Sequence, residues 1–207
     1  MSDVLLLIIF IVAPAVILHE VAHGLSAYLL GDPTAKNQGR LTLNPVKHID
    51  LVGSIIVPGA LFLAHYFGLT SSLMLFGWAK PVPVNFRNLH PRRLGMASVA
   101  LAGPLTNIVL AFIFSKLYVC PALSGVSHIC AWGVMLNLVL AVFNMIPIPP
   151  LDGSRVVTSV LPTNLAYYYS RLEPFGIIIV IVLLNLGMLG FMYPVIEQVG
   201  NWIGVQI

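Results

Sequence analysis

VLLLIIFIVAPAVILHEVAHGLSAYLL, residues 4–30, decides how this chain must fold. The run is apolar apart from His19, Glu20, His23 and Ser26, and the flank Met1 to Leu18 holds a single charge, Asp3. A stretch this long and this apolar reads as a membrane crossing, which needs roughly 20 residues. An ionisable group at that depth costs roughly 2.5–3.5 kcal/mol, so it needs a partner or a task. The spacing points to the task. On a helix, His19 and His23 lie on one face. Two imidazoles so placed can reach one zinc ion, and Glu20 beside them can take a proton from zinc-bound water.

Composition extends the membrane reading to the whole chain. Of 207 residues, 58% are hydrophobic and 8% charged, against about 25% charged in soluble proteins. The net charge of +3 is small, and the longest basic run is Arg92-Arg93, so nucleic acid has no support as a partner. The N-terminus lacks a basic region and a small-residue cleavage site, and the first segment is expected to be retained as a helix. Cys120 and Cys130 flank a short polar loop. They read as two buried small hydrophobes, with a disulfide as the alternative if the loop faces an oxidising compartment.

Apolar segments fall at 4–30, 51–77, 94–117, 128–146 and 175–196. Gly31-Asp32-Pro33 stops the first. Gly39 to Asn44 alternates polar and apolar before Pro45 and reads as a short strand. Residues 80–85, with Pro81 and Pro83, suit an extended segment or edge strand. The expected fold is an all-α polytopic membrane protein. Three transmembrane helices surround a zinc site, with additional helices and short membrane-associated β-strands near 39–44 and 80–85. The whole of 1–207 reads as one membrane-embedded domain.

Two histidines leave a catalytic zinc short of its usual three protein ligands. Among the remaining acids, Asp152 stands out, because it follows a long apolar run and sits in Leu151-Asp152-Gly153. The string from Asn144 through Pro147 to Leu151-Asp152-Gly153 fits NxxPxxxLDG. Together with HExxH near the start, it resembles the site-2 protease family of intramembrane zinc metalloproteases. Gly103-Pro104-x-x-Asn107 is similar to that family's middle core helix. No run resembles a PDZ domain, so the likeness is to the minimal prokaryotic type.

The resemblance implies one zinc ion held by His19, His23 and Asp152, with Glu20 as general base. Asn144 is implied to lie near the site, as a candidate for hydrogen bonding the substrate or the oxyanion. Asn107 reads either as a site residue or as an interhelical hydrogen bond worth about 1 kcal/mol. The implied activity is endoproteolysis of single-span membrane proteins within the bilayer of the cell membrane. Two other classes stand beside it: a non-proteolytic intramembrane metal-binding sensor or scaffold, and a metal transporter. Glu20 argues against the first, since a mere metal site needs no base. The clustering of buried acids at one level argues against the second.

A metal shared by His19, His23 and Asp152 constrains topology. The first and fourth segments must then run the same way, with the third opposed. The stretch between the first and third must begin and end on one side, so 51–77 must enter and return, with Pro58-Gly59 or Gly68 as bends. With that return, one side holds Lys36, Arg40, Lys47, Lys80, Arg87, Arg92, Arg93, Arg155 and Arg171, and the other only Lys116. A single crossing would split the same charges six against four. The positive-inside rule favours nine against one, placing the site toward the cytoplasm and the N-terminus outside.

Pro14 is expected to kink the first helix near the metal. Polar residues of 32–50 are expected to line a water path, and the two strands to offer edges to an unwound substrate. His48 reads as an interfacial histidine in a turn, with contact to the site as the sharper alternative.

Overall fold

The computed structural model describes residues 7–69 and 77–203. The main helices are α1 (Ala13–Leu29), α2 (Val57–Tyr66), α3 (Arg92–Tyr118), α4 (Ser127–Asn144), α5 (Asp152–Val160), α6 (Thr163–Ser170), α7 (Gly176–Asn185) and α8 (Met192–Trp202). Among the described residues, four stretches are long and apolar enough to cross a membrane: Phe10–Leu29, Arg92–Tyr118, Ser127–Asn144 and Thr163–Leu183. The chain is a multi-pass membrane protein. Its large exposed apolar side chains, Leu29, Leu94 and Ile178 among them, are the surface expected where lipid is the solvent.

α1 and α2 begin alike. A π-helical turn, Ile8–Val12 or Leu51–Ile56, passes into α-helix at a proline, Pro14 or Pro58. Proline has no N–H to donate, so it fits the junction where the bonding pattern changes. α3 lies between α1 and α4 and packs on both. Two levels along it give the helix directions. At one level Asn107 of α3 bonds to Ala15 of α1 and Asn137 of α4. At the next, Gly103 meets His19 and His23, and Asp152, beyond the end of α4, joins them. The numbering rises along α1 and α4 and falls along α3, so α1 and α4 run together and α3 opposes them.

The connection from α1 to α3 starts and finishes in one place. Gly31, at φ +101°, closes α1 with its N–H on the Tyr28 carbonyl, and the Asp32 N–H bonds Ala27 O. The His90 N–H then bonds Leu30 O, tying the approach to α3 to the end of α1. In between, α2 stops at Gly68, whose φ of +71° few side chains tolerate. The chain is back at its starting point by Gly77, since Trp78 N–H bonds Gly53 O and Lys80 N–H bonds His48 O. Segment 51–77 therefore begins and ends at one place, with a turn at Gly68 after α2; its residues 70–76 lie outside those described. Pro58-Gly59 lies where the π-helical turn passes into α2, within continuous helix.

The strands expected near 39–44 and 80–85 do not form, and no strand occurs among the described residues. In 39–44 local bonds win. Thr42 Oγ1 accepts from Asn44 N–H, and Asn44 Oδ1 accepts from Val46 N–H, which closes the turn Pro45–His48. Residues 80–85 are extended, but Pro81 and Pro83 strip one edge of donors. The donors that remain find single acceptors instead of a ladder: Val82 N–H bonds Glu20 Oε2 at 2.7 Å and Asn85 N–H bonds Asp32 Oδ2 at 2.6 Å.

The last expected segment, 175–196, is also divided. α7 ends before Gly187, at φ +65°, and α8 packs Met192 and Ile196 against Leu138 and Ile146. Cys120 and Cys130 are both free thiols, Cys130 buried, so the disulfide alternative does not form.

Candidate metal centre

His19 and His23 point from α1 toward α3, and both are buried. Each ring is held by its Nδ1. His19 Nδ1–H donates to Asn107 Oδ1 at 2.5 Å, and His23 Nδ1–H donates to the Val99 carbonyl at 2.7 Å. Neither partner as oriented can donate, because Asn107 turns its amide nitrogen to Asn137 Oδ1 at 2.9 Å. Both protons therefore sit on Nδ1, and both Nε2 atoms keep a lone pair. Pro104 removes the helical partner of the Ala100 carbonyl and opens this turn of α3, beside the Val99 carbonyl that His23 uses.

The lone pairs converge. The two Nε2 atoms are 3.0 Å apart. Asp152 Oδ2 lies 3.1 Å from that of His19 and 3.2 Å from that of His23. Asp152 Oδ2 is buried and has no hydrogen-bond donor. Three electron-rich atoms do not gather in a low-dielectric interior without positive charge between them. Two donors about 2.0–2.1 Å from a tetrahedral ion stand about 3.3 Å apart, close to the spacing found. The donor set of two imidazoles and one carboxylate suits catalytic zinc. All three ligand atoms lie within 4.8 Å of one another.

α3 can come this close only because residue 103 is glycine. A Cβ there would stand 2.5 Å from His23 Nε2 and 2.6 Å from His19 Nε2. Asp152 arrives from the other side, in the first turn of α5, where the helix dipole favours a carboxylate.

The centre opens on a cavity of about 580 Å³, lined among others by Glu20, Trp78, Val82, Asn144 and Arg155. Glu20 is half-exposed there, with Oε2 taking the Val82 N–H. Asn144 lines the cavity and donates from Nδ2 to its own helix at Leu140 O, 3.0 Å away, which leaves its Oδ1 and its second N–H to meet a ligand. Arg155 pairs with Glu173, joining α5 to the stretch before α7.

His48 is not part of the centre. It is buried and bonds Thr42 O at 2.8 Å, holding the loop on which Lys80 rests. Asp32 anchors the same region, accepting from Thr34, Asn85 and Asn88. Burial pushes its carboxyl up, and these hydrogen bonds outweigh that, so it lies below the usual carboxylate range.

The structure thus brings His19, His23, Asp152 and Asn107 together, and sets Glu20 and Asn144 on the same cavity. The sequence reading missed Asn137, the Val99 carbonyl, the Val82 N–H and the close approach at Gly103. Gly103 was the visible signal for the last of these, since a glycine inside an apolar helix marks close packing.

The profile of peptidase family M50 matches residues 120–186. The "Putative zinc metalloprotease YwhC" of Bacillus subtilis (strain 168) is 39% identical over 176 residues, 80% of this chain and 74% of that protein. Two more proteins carry the same description. MJ0611 of Methanocaldococcus jannaschii is 48% identical over 60 residues, 28% of this chain and 31% of that protein. Rip2 of Mycolicibacterium smegmatis is 28% identical over 172 residues, 81% of this chain and 62% of that protein. No solved structure matches the chain. A cluster of two buried histidines of a membrane-spanning helix with Asp152, and a relative this similar over most of both chains, lead to one conclusion: the chain belongs to peptidase family M50, the site-2 protease family of zinc metalloproteases.

Proposed function

We propose that this protein is an intramembrane zinc endopeptidase that cuts transmembrane segments of single-span membrane proteins, with 1–207 acting as one membrane-embedded unit. The observation that carries the reading is the meeting of three unprotonated ligand atoms, His19 Nε2, His23 Nε2 and Asp152 Oδ2, on a cavity that Glu20 also lines.

His19, His23 and Asp152 hold the metal. Bound zinc supplies Lewis acidity, lowering the pKa of water toward about 7 and polarising the scissile carbonyl. Glu20 takes the proton from the attacking water and passes it to the leaving amine. The Val82 N–H fixes one carboxylate oxygen of Glu20, so the other faces the reaction. Asn144 lies on the same cavity and positions the substrate backbone. Nine basic residues on the side where the cavity opens, against Lys116 opposite, support a cytoplasmic mouth in the cell membrane.

The test is cleavage of a single-span substrate by protein reconstituted in liposomes. Glu20→Gln should retain its zinc and lose turnover by about 10²–10⁴-fold. Equal cleavage by both proteins would remove Glu20 from the chemistry. Zinc binding with no cleavage by either would favour a metal-binding sensor.

A further inference from the structure

Three helices are joined by one directional chain of side chains. Asn137 Nδ2 donates to the Gly133 carbonyl at 2.8 Å. Asn137 Oδ1 accepts from Asn107 Nδ2 at 2.9 Å, and Asn107 Oδ1 accepts from His19 Nδ1–H at 2.5 Å. Both asparagines are 0% exposed, so water does not substitute at either position. A backbone carbonyl can only accept. The Gly133 carbonyl therefore fixes which end of the Asn137 amide faces α3. That in turn fixes the Asn107 amide, and Asn107 fixes the proton of His19.

We propose that Asn137, a residue of α4 that does not touch the metal centre, is a positioning residue that sets the tautomer of His19 through Asn107. The inference rests on the zinc reading above. If the Asn107 amide turned over, its NH2 would face His19 Nδ1. The imidazole proton would move to Nε2, and the lone pair that reaches toward His23 and Asp152 would be lost. Asn137 prevents this by offering Asn107 an oxygen. The Ala15 carbonyl also faces Asn107 Nδ2, but at 3.4 Å it is the weaker partner. An outer partner that orients a metal-bound histidine typically controls metal affinity by about 10–100-fold.

The alternative is that Asn107 and Asn137 only glue α3 to α4, which would affect folding and leave the imidazole alone. Zinc affinity separates the two roles, measured by chelator competition on the full chain in detergent, with circular dichroism as the check on folding. Asn137→Leu matches the shape and removes the oxygen, and should weaken zinc by about 10–100-fold. Asn137→Asp, held neutral by burial, keeps an oxygen toward Asn107 and a hydroxyl toward Gly133 O. It should bind zinc within about threefold of the wild type, the span expected when the relay is kept.

The effect should also vanish when the intermediary is gone: adding Asn137→Leu to Asn107→Leu should cost no further affinity. Should Asn137→Leu not fold, Asn137→Ala carries the same comparison with less bulk. Unchanged zinc affinity in Asn137→Leu would overturn the relay, as would equal losses in the Leu and Asp variants or additive losses in the double variant. A wild type that binds no zinc would instead overturn the metal reading itself.

Discussion

His19 carries its proton on Nδ1 because Asn107 offers only an oxygen there, and His23 does so because Val99 offers a carbonyl. That detail leaves both Nε2 lone pairs facing Asp152. The identity of these residues was legible in the chain. Paired histidines four apart and a later Asp-Gly after an apolar run are costly in a membrane, and the cost marks them. Asn137 was not legible. An asparagine amid apolar residues reads equally as glue, and only its tertiary neighbours give it a direction.

Asp32 belongs to the same scale, and its role is structural. Its folded pKa is depressed, so its contribution is present above the unfolded value of about 3.9 and is lost as pH falls through the folded value. Asp32→Asn should cost about 2 kcal/mol at neutral pH. It should also flatten the acid limb of the stability curve, read by thermal melting between about pH 5 and pH 2. An acid limb as steep as that of the wild type would assign the pH dependence to another group.

At the scale of elements, the extended segment 77–85 and the crossing of α1 and α3 do most to shape the site. The alternation in 39–44 and the prolines of 80–85 were read as strands because both patterns occur at sheet edges. Pairing, however, is a tertiary property. The backbone of 80–85 spends its donors on Glu20, Asp32 and His48, and that of 39–44 spends its own on local turns. Val82→Pro removes the N–H that holds Glu20. Turnover should fall about 10–100-fold with zinc content unchanged, and metal analysis beside a cleavage assay reads both. Loss of zinc together with activity would mean that the segment supports the metal itself.

Gly103→Ala tests the helix crossing. Its Cβ meets both imidazoles, so zinc affinity should drop, and stability should fall by about 1–3 kcal/mol as α3 is pushed away. Wild-type affinity in that variant would mean that the rings do not need α3 so close.

Across the whole molecule, the site and the topology are one constraint. Ala15, Asn107 and Asn137 form one level, and His19, Gly103 and Asp152 the next. The bond from His90 to Leu30 then puts both ends of the α1–α3 connection on one side. This was readable from the sequence once Asp152 was joined to the histidines, and the charges sort accordingly. The break near Gly187 was not readable, because apolar composition runs on through it. In a background lacking Cys120 and Cys130, a cysteine at Lys36 should react with a membrane-impermeant maleimide only from the cytoplasmic side. One at Lys116 should react only from outside. The reverse pattern would invert the molecule in the membrane and leave the fold intact.

Everything proposed for the site depends on His19, His23 and Asp152 holding one zinc ion. Zinc X-ray absorption on the purified wild-type chain tests it most directly. The expected result is one zinc per chain with a shell of light atoms only, two imidazole nitrogens and carboxylate oxygen at about 2.0–2.2 Å. A sulfur shell at about 2.3 Å would contradict it, since Cys120 and Cys130 lie outside the centre, and so would a protein that binds no zinc.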